Sequence, residues 1–282
     1  MRSNRKILPL GILLAFLLIL SSAYLIPASW ASEEAQPPPS FFPIVYISGS
    51  EYEMGYQYGQ QAGKYIEIVK DGLWSVLLER YDKTYILSKL EKYEEYVGEE
   101  LTKVNYLEIL RGIADGARAA GYNVTYEDVL LINYQVEFEW LPLPEGCTNI
   151  AVWEDATADG KLIVGSNFDY PWSRYCPYEV MIIAYPKNGN AFISFGIAGR
   201  LGNNFQMNNK GLVHESNKGA NARPEDIGYG ITDFIIGPYI AMTCSNVEEA
   251  KEVFQKISPT NGINHLIVDI TEMHMQWKQQ QH

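Results

Sequence analysis

The spacing of apolar residues divides the chain into a helical part and a strand-rich part. Between residues 65 and 121 apolar positions recur mainly at intervals of three and four, which predicts helices. After residue 147 short apolar segments are separated by Gly, Asn and Asp, which predicts strands at 150–153, 162–164, 180–185, 191–195, 211–215 and 266–270, with one helix at 247–257. Because helices and strands are segregated along the chain, the pattern favours an α+β fold.

The first predicted helix carries three glycines on one face. Ser50 and Glu53 form a capping-box pattern that predicts where this helix begins. Gly55, Gly59 and Gly63 follow at four-residue intervals, so they lie on the same side of the helix. A glycine inside a helix costs about 1 kcal/mol relative to alanine. The pattern therefore predicts that a second backbone packs closely against this face.

The N-terminal segment, residues 1–31, is predicted to be a secretory signal peptide. A basic leader precedes an apolar run at 7–26, and small residues near Ala31 offer a cleavage site. The run approaches the length that spans a bilayer, so an uncleaved N-terminal anchor is the alternative. The signal peptide and the anchor each predict a secreted or extracytoplasmic location for the rest of the chain. Residues 32–43 are rich in proline and are predicted to be a stiff linker.

The charge and the composition restrict the class of partner. The formal net charge is -12, and nucleic acids bind to clustered basic surfaces, so a nucleic-acid partner is not expected. Asn123-Val124-Thr125 fits the acceptor pattern for an N-linked glycan, which is compatible with export. No Cys or His pair has the close spacing typical of zinc ligands, so no metal is predicted.

The chain contains three cysteines, at positions 147, 176 and 244. An odd number in an exported protein suggests one disulfide and one free thiol. Cys147 is the expected free thiol, and a Cys176–Cys244 bridge is the remaining pairing, which the sequence alone does not establish.

The residues around Cys147 predict a β-hairpin with chemical groups at its open end. Residues 147–152 and 165–170 are the predicted strands, and Asp159-Gly160 is the turn. This pairing would bring Asp169 close to Cys147. A thiol with a pKa near 8.5 is only slightly ionised at neutral pH, so a nucleophilic Cys needs a base. At a chain terminus its own α-amine, with a pKa of about 7.7 to 8, can be that base.

These motifs resemble the isopenicillin N acyltransferase family of N-terminal-nucleophile hydrolases, which is related to acid ceramidase and choloylglycine hydrolase. The resemblance rests on Gly146-Cys147-Thr148 with Asn167-x-Asp169, and on Met207-Asn208 with Gly211-Leu212. It implies an αββα sandwich with a helical pro-region or α-subunit at 44–146 and a nucleophile-bearing β-subunit at 147–282. Few residues follow Ile270, so the closing strands of such a sandwich are expected to be truncated.

The resemblance also implies roles for individual residues. The precursor would cut itself between Gly146 and Cys147, and Cys147 would become an N-terminal nucleophile. Asp169 would hold its α-amine, and amide donors would stabilise the oxyanion. The donors implied are Asn208 and Asn264, the latter preferred over Asn261, with Asn167, Thr148 and Arg200 in supporting positions. No cofactor is implied.

One residue departs from the related families. Choloylglycine hydrolases and acid ceramidases have Arg where this chain has Ser166, so a cation near the thiolate is missing unless Arg174 or Arg200 replaces it. This difference favours the acyltransferase branch over activity on bile salts or ceramides.

The sequence therefore predicts an exported, self-processing hydrolase or acyltransferase that cleaves linear amide bonds of N-acyl compounds or small peptides through a thioester. Its two fragments would form an α/β heterodimer. One alternative is a thiol hydrolase without self-cleavage, with His214 or His265 as base. The other is a non-enzymatic exported binding module on the same scaffold.

Overall fold

The structure is a computed structural model that describes residues 43–134, 137–138, 147–167, 178–218, 228–260, 262–271 and 274–279. The predicted signal peptide, most of the linker, and Gly146, Asp169, Arg174, Cys176 and Asn261 lie outside these ranges. No helix in the described part of the chain is long and apolar enough to cross a bilayer.

The first part of the described chain is one strand followed by four helices. These are β1 (Ile44–Gly49), α1 (Glu51–Leu77), α2 (Lys83–Glu100), α3 (Tyr106–Ala119) and α4 (Tyr126–Tyr134). The predicted capping box is confirmed, because the backbone N–H of Ser50 donates to the Glu53 carboxylate at 2.8 Å and the Ser50 hydroxyl accepts from Glu53 N–H. This cap fixes the point at which the chain leaves β1 and enters α1.

Close packing of the α1 glycine face is also confirmed. Helix α1 packs against α3, and a methyl group on Gly55 or Gly59 would overlap the carbonyl oxygen of Ile109 or Ile113. Gly116 on α3 meets the backbone of α1 in the same way. The α3 helix therefore supplies the second backbone that the sequence predicts, and it does so with glycine on both sides of the contact.

The second part contains eight strands and two helices. The strands are β2 (Thr148–Glu154), β3 (Gly160–Asn167), β4 (Glu179–Pro186), β5 (Phe192–Ile197), β6 (Phe205–Asn208), β7 (Val213–Lys218), β8 (Ile263–Val268) and β9 (His274–Gln279), and the helices before β8 are α5 (Asp233–Thr243) and α6 (Val247–Phe254). The α+β class is confirmed. Three elements differ from the prediction: β6 and α5 were not expected, and β9 lies after Ile270, where the closing strands were expected to be truncated.

One seven-stranded sheet unites the two parts of the chain. Its order is β1-β4-β5-β6-β7-β8-β9, with β1 parallel to β4 and the other pairs antiparallel. Strand β1 belongs to the predicted pro-region, and its Ile44 lies opposite Met181 of β4. The predicted α- and β-subunits therefore share a continuous sheet.

The two faces of this sheet differ in how they are covered. On one face Val45 and Ile182 are buried, α1 packs on β1 and β4, and α5 packs on β5, β6 and β7. On the other face Tyr46 and Tyr185 remain 57% and 58% exposed. The second sheet in the described residues is the β2–β3 hairpin, which contacts β7. An αββα sandwich requires two inner sheets. The seven-stranded sheet is the first, and the β2–β3 hairpin is the part of the second that the structure describes.

Candidate active site

The predicted hairpin that carries Cys147 is present as β2 and β3. The two strands pair in antiparallel register, with Thr148 opposite Asn167 and Asn149 opposite Ser166. The connection adopts left-handed backbone at Glu154 (φ 51°) and Gly160 (φ 73°), which is where glycine is favoured. Cys147 is half-buried and immediately precedes β2.

The register places the open end of the hairpin at Cys147. Thr148 and Asn167 form the last described pair, so the next positions along the two strands are Cys147 and residue 168. Asp169 lies outside the described residues, and its predicted contact with the Cys147 amine stays a prediction. Asn167 itself is the last residue of β3.

Ser166 attaches the hairpin to the main sheet. Its hydroxyl donates to Asn149 Oδ1 at 2.9 Å and accepts from Asn204 Nδ2 at 2.8 Å. The carbonyl of Asn204 accepts from the backbone N–H of Ser216 on β7 at 3.0 Å. Asn149 is two residues from Cys147, or about 7 Å along an extended strand. These bonds therefore hold the Cys147 end of the hairpin close to the second half of β7.

Two polar side chains of β7, Glu215 and Asn217, point away from helix α5. The Ser216 hydroxyl donates to Asp233 of α5 at 3.0 Å, so alternation along the strand directs Glu215 and Asn217 to the opposite face. Apart from α5 and its two sheet neighbours, β7 packs against β2 of the hairpin. Asn217 lies opposite Asn264 of β8 on this face, and Asn264 is exposed. This face of β7 and β8, together with the hairpin end, forms the candidate site.

Glu215 is the most unusual group in the candidate site. It is 0% exposed, and neither carboxyl oxygen has a hydrogen-bond partner within the described residues. Burial disfavours the charged form and raises the pKa of Glu215 to about 8. Asn217 Oδ1 is also buried without a hydrogen-bond partner in the part of the chain described. Buried polar groups are nearly always hydrogen-bonded in native proteins, so two exceptions on one strand point to a function.

The structure disagrees with the oxyanion role predicted for Asn208. Its side chain is buried, and Nδ2 donates to the carbonyl oxygens of Ala241 and Cys244 at 2.9 and 2.8 Å. Its Oδ1 accepts from the N–H groups of Lys210 and Leu212. Both amide hydrogens are therefore used to join the β6–β7 turn to the end of α5. The sequence identified the turn correctly but assigned the wrong side-chain direction.

Arg200 has a structural role in the core. Its Nε donates to the carbonyl of Ile132 on α4 at 2.7 Å, and Nη1 donates to Asn203 Oδ1 at 3.2 Å. The guanidinium lies 3.7 Å from the ring centroid of Phe234 on α5, a cation–π geometry. These contacts join α4 to α5. The predicted support of the thiolate by Arg200 stays a prediction, as do the supporting roles of Asn167 and Thr148.

The alternative in which a histidine activates Cys147 is contradicted. His214 is buried, with Nδ1 2.8 Å from Gln206 Oε1 and Nε2 3.0 Å from His265 Nδ1. Burial lowers the pKa of His214 to about 3, so it stays neutral. His265 pairs with Ser216 in the sheet, and its ring packs on Phe254 of α6. Both rings therefore lie on the helix-covered face, away from Glu215.

Cys244 is the second cysteine in the described part of the chain. Cys244 is buried and free, and Cys176, its predicted disulfide partner, lies outside the described residues. Burial raises the pKa of the Cys244 thiol, which makes it a poor nucleophile. In the described ranges no group of three or more His, Cys, Asp and Glu side chains could hold a metal ion.

Sequence reasoning missed Glu215 and Asn217. The signal was present, because residues 214–217 are four consecutive polar residues directly after the apolar pair Leu212-Val213. A strand that continues through such a run must place polar groups on both faces, and one face of a central strand is usually core.

Two solved structures resemble this chain weakly. The chain is similar to two substituted variants of conjugated bile acid hydrolase from Clostridium perfringens, with TM-scores of 0.37 and identities of 18% and 19%. Each alignment covers 48% of this chain and 48% of the other. A likeness at this level carries no argument about the site.

Sequence comparison is more informative. The chain is 30% identical over 188 residues to an uncharacterized protein from Archaeoglobus fulgidus, which covers 60% of this chain and 32% of that protein. The chain thus spans about a third of the length of this curated relative. Residues 156–282 match the family model of acyl-coenzyme A:6-aminopenicillanic acid acyl-transferase, a range that begins after Cys147. The resemblance to this acyltransferase family, which the sequence motifs indicated, is thereby confirmed for residues 156–282.

Proposed function

We propose that the chain is a cysteine N-terminal-nucleophile hydrolase or acyltransferase that acts on linear amide bonds of N-acyl compounds or small peptides. The observation that carries the proposal is the hairpin register, which puts Cys147 at the open end of β2 where β3 leads into the Asn167-x-Asp169 motif. The family match of the following residues supports the same class of chemistry.

Self-processing is the first step of this function. The Cys147 thiol attacks the carbonyl carbon of Gly146, so that a C–S bond replaces the C–N bond of the peptide. Water then hydrolyses the thioester and leaves a carboxylate on Gly146 and a free α-amine on Cys147. That amine is the base that the mature thiol needs, which removes the need for a histidine.

The mature site then turns over substrate by the same covalent chemistry. The α-amine takes the thiol proton, and the thiolate attacks the substrate amide. The amine part leaves with a proton, and water or a second amine resolves the thioester. Hydrolysis and acyl transfer differ only in this last nucleophile, so both products belong to the proposal. No metal or cofactor takes part in it.

Asn217 and Asn264 are the proposed oxyanion donors. They lie opposite each other on β7 and β8, on the face that α5 leaves open. Asn217 replaces Asn208 because the amide hydrogens of Asn208 are bonded to Ala241 and Cys244. An amide donor aimed at a developing oxyanion typically contributes a factor of about 10² to 10³ in kcat.

The two products of cleavage are proposed to remain a heterodimer. Besides the β1–β4 pairing, the Tyr58 hydroxyl of α1 donates to the carbonyl of Arg200 at 2.9 Å, and Asn133 Nδ2 donates to the carbonyl of Gly199 at 3.0 Å. Co-elution of both fragments in size-exclusion chromatography, and their separation in denaturant, would test this arrangement.

Export of the protein belongs to the proposal as well. The leader at 1–31 supports a secreted or extracytoplasmic protein, with an uncleaved anchor as the variant form. N-terminal sequencing of the protein from the culture medium and from membranes tests this step. A mature chain that begins near Ser32 in the medium is the expected result, and a chain that keeps Met1 in the cytoplasm would contradict it.

Intact mass is the decisive experiment for self-processing. The wild-type protein and Cys244→Ala should each give two fragments that meet at Gly146 and Cys147, whereas Cys147→Ala should give one uncut chain. Cys244 is a matched control because it is a free thiol buried in the core. An uncut wild-type chain that still hydrolyses amides would overturn self-processing, and an uncut, inactive chain would favour a binding module.

A further inference from the structure

Self-cleavage lacks the α-amine base that the mature site uses. In the uncut chain the Cys147 nitrogen is part of the peptide bond to Gly146, so no α-amine exists to take the thiol proton. Another group must accept that proton and deliver it to the departing nitrogen. The histidines of β7 and β8, His214 and His265, lie on the helix-covered face. The inference below rests on the proposed function and concerns this missing group.

Glu215 has the position that such a group needs. It precedes Ser216, whose N–H is bonded to Asn204, which in turn holds Ser166 of the hairpin. Its side chain points away from α5, and β2 is the further element that packs on β7. The carboxyl is therefore on the hairpin side of the sheet, where β2, which Cys147 immediately precedes, packs against β7.

Glu215 also has the surroundings that such a group needs. Both oxygens are buried without a hydrogen-bond partner in the described residues, so no structural bond would have to break before a proton is transferred. Burial raises the pKa of the carboxyl to about 8, close to a working pH near neutrality, where an acid–base group is most efficient. An ordinary glutamate with a pKa near 4.3 would be too weak a base to take the proton from a thiol.

We propose that Glu215 is the acid–base group of self-cleavage. Its carboxylate takes the proton from Cys147 Sγ as the sulfur bonds to the Gly146 carbonyl carbon. The resulting carboxylic acid donates that proton to the Cys147 nitrogen as the C–N bond breaks. Water hydrolyses the thioester, and Glu215 ends in the protonation state in which it began. After cleavage the new α-amine takes over as base for substrate turnover.

The test is a time course of cleavage in cell-free translation of the full chain, followed by denaturing electrophoresis and intact mass. Glu215→Gln keeps the size of the side chain but removes the base, and cleavage should slow by about 10² or more. Glu215→Asp keeps a carboxyl and should cleave at a rate between the two. The matched control is Glu179→Gln, because Glu179 is a half-buried carboxyl on the same sheet face of β4, three strands away. It should cleave like the wild type.

The melting temperature of Glu215→Gln distinguishes an acid–base role of Glu215 from a structural role. The titratable side chains at or on the elements packed against β7 are Cys147 and Glu154 at the hairpin, Asp233 and Tyr239 on α5 and His265 on β8. Because the pKa of Glu215 is raised, its contribution to stability is fully present below pH 4.5 and is lost as the pH rises towards about 8. Glu215→Gln should therefore melt no lower than the wild type at pH 7.5, even though its cleavage is slow. A structural glutamate would give a variant that melts lower.

The outcomes distinguish failure of this inference from failure of the proposed function. If the wild type is cut and Glu215→Gln is cut at the same rate, Glu215 is not the acid–base group, although self-processing stands. If Glu215→Gln cleaves slowly and melts well below the wild type, the role is structural and the inference is overturned. An uncut wild type overturns the proposed function and, with it, the role of Glu215.

Discussion

The Nδ2 atom of Asn204 donates a 2.8 Å hydrogen bond to Ser166 Oγ, and this bond attaches the β2–β3 hairpin to the main sheet. The family resemblance implies an Arg at the position of Ser166. In this chain the position carries a neutral hydroxyl that links Asn149 to Asn204. Its role in the structure is thus to position the hairpin.

Removing this link should affect cleavage more than stability. Asn204→Ala leaves the Ser166 hydroxyl with one partner, and we expect a loss of about 1 kcal/mol in the free energy of unfolding. Since the hairpin end then moves relative to β7, cleavage should slow about tenfold. Asn190→Ala is the matched control, because Asn190 Nδ2 makes a 2.8 Å bond to the Cys244 carbonyl, away from the hairpin. Equal cleavage by both variants, measured by electrophoresis over time, would rule the link out.

Asn208 and Asn217 should behave in opposite ways. Asn208→Ala removes the side-chain bonds to Ala241 and Cys244 and those from Lys210 and Leu212, so we expect a loss of about 2 to 3 kcal/mol in stability. The kcat of the folded variant should be close to that of the wild type.

Asn217→Ala should instead lower kcat by about 10² to 10³ with little change in the melting temperature. Thermal melts and amide hydrolysis by both variants, assayed well below the lower melting temperature, provide the comparison. A low kcat for Asn208→Ala together with a normal kcat for Asn217→Ala would restore the assignment made from the sequence.

The close glycine contact between α1 and α3 predicts that a methyl group added there lowers the stability of the fold. In Gly59→Ala the new methyl would overlap the Ile113 carbonyl, and the helices would have to separate. We expect a loss of about 2 to 3 kcal/mol, as for other overpacked contacts. Gly98→Ala on α2 is the control, because the nearest atom to its methyl would be Leu107 Cδ1 at 3.6 Å. This variant should gain up to about 1 kcal/mol. Urea unfolding measures both, and equal effects would argue against the close contact.

His214 should make the fold sensitive to acid. Its pKa is lowered to about 3 by burial, compared with 6.5 for the exposed side chain, so the unfolded chain binds a proton first. The contribution of His214 is fully present above pH 6.5 and falls by about 1.4 kcal/mol per pH unit between pH 6.5 and about 3. His214→Gln should therefore lose less stability than the wild type between these limits. Urea unfolding at several pH values checks this, and identical slopes would contradict it.

The sequence predicted features that depend on local chemistry. The Ser50–Glu53 capping box requires only neighbouring residues, and it is present. The hairpin was also predicted, but its connection covers residues 155–159, and Gly160, expected in a tight turn, is the first residue of β3 and pairs with Glu154. The α1 glycine face was also predictable, because glycine at that spacing has few explanations other than a close backbone.

Features that depend on surroundings were harder to predict. Helix α5 is buried all round, so its apolar residues show no period that separates a helix from a strand. The direction of the Asn208 side chain depends on the carbonyls at the end of α5, which are distant in sequence. The burial of Glu215 depends on how the hairpin meets β7, and no local pattern contains that information.

The pairing of β1 with β4 affects how the protein refolds after heating. In the proposed self-processing, this parallel pair closes within one polypeptide before cleavage, but afterwards it must form between two separate molecules. Refolding of the cut protein is then bimolecular and slows with dilution, whereas Cys147→Ala should refold at a rate that does not depend on concentration. Maturation would thus make unfolding effectively irreversible in dilute solution, and the lifetime of the active protein would be set by its unfolding rate rather than by an equilibrium.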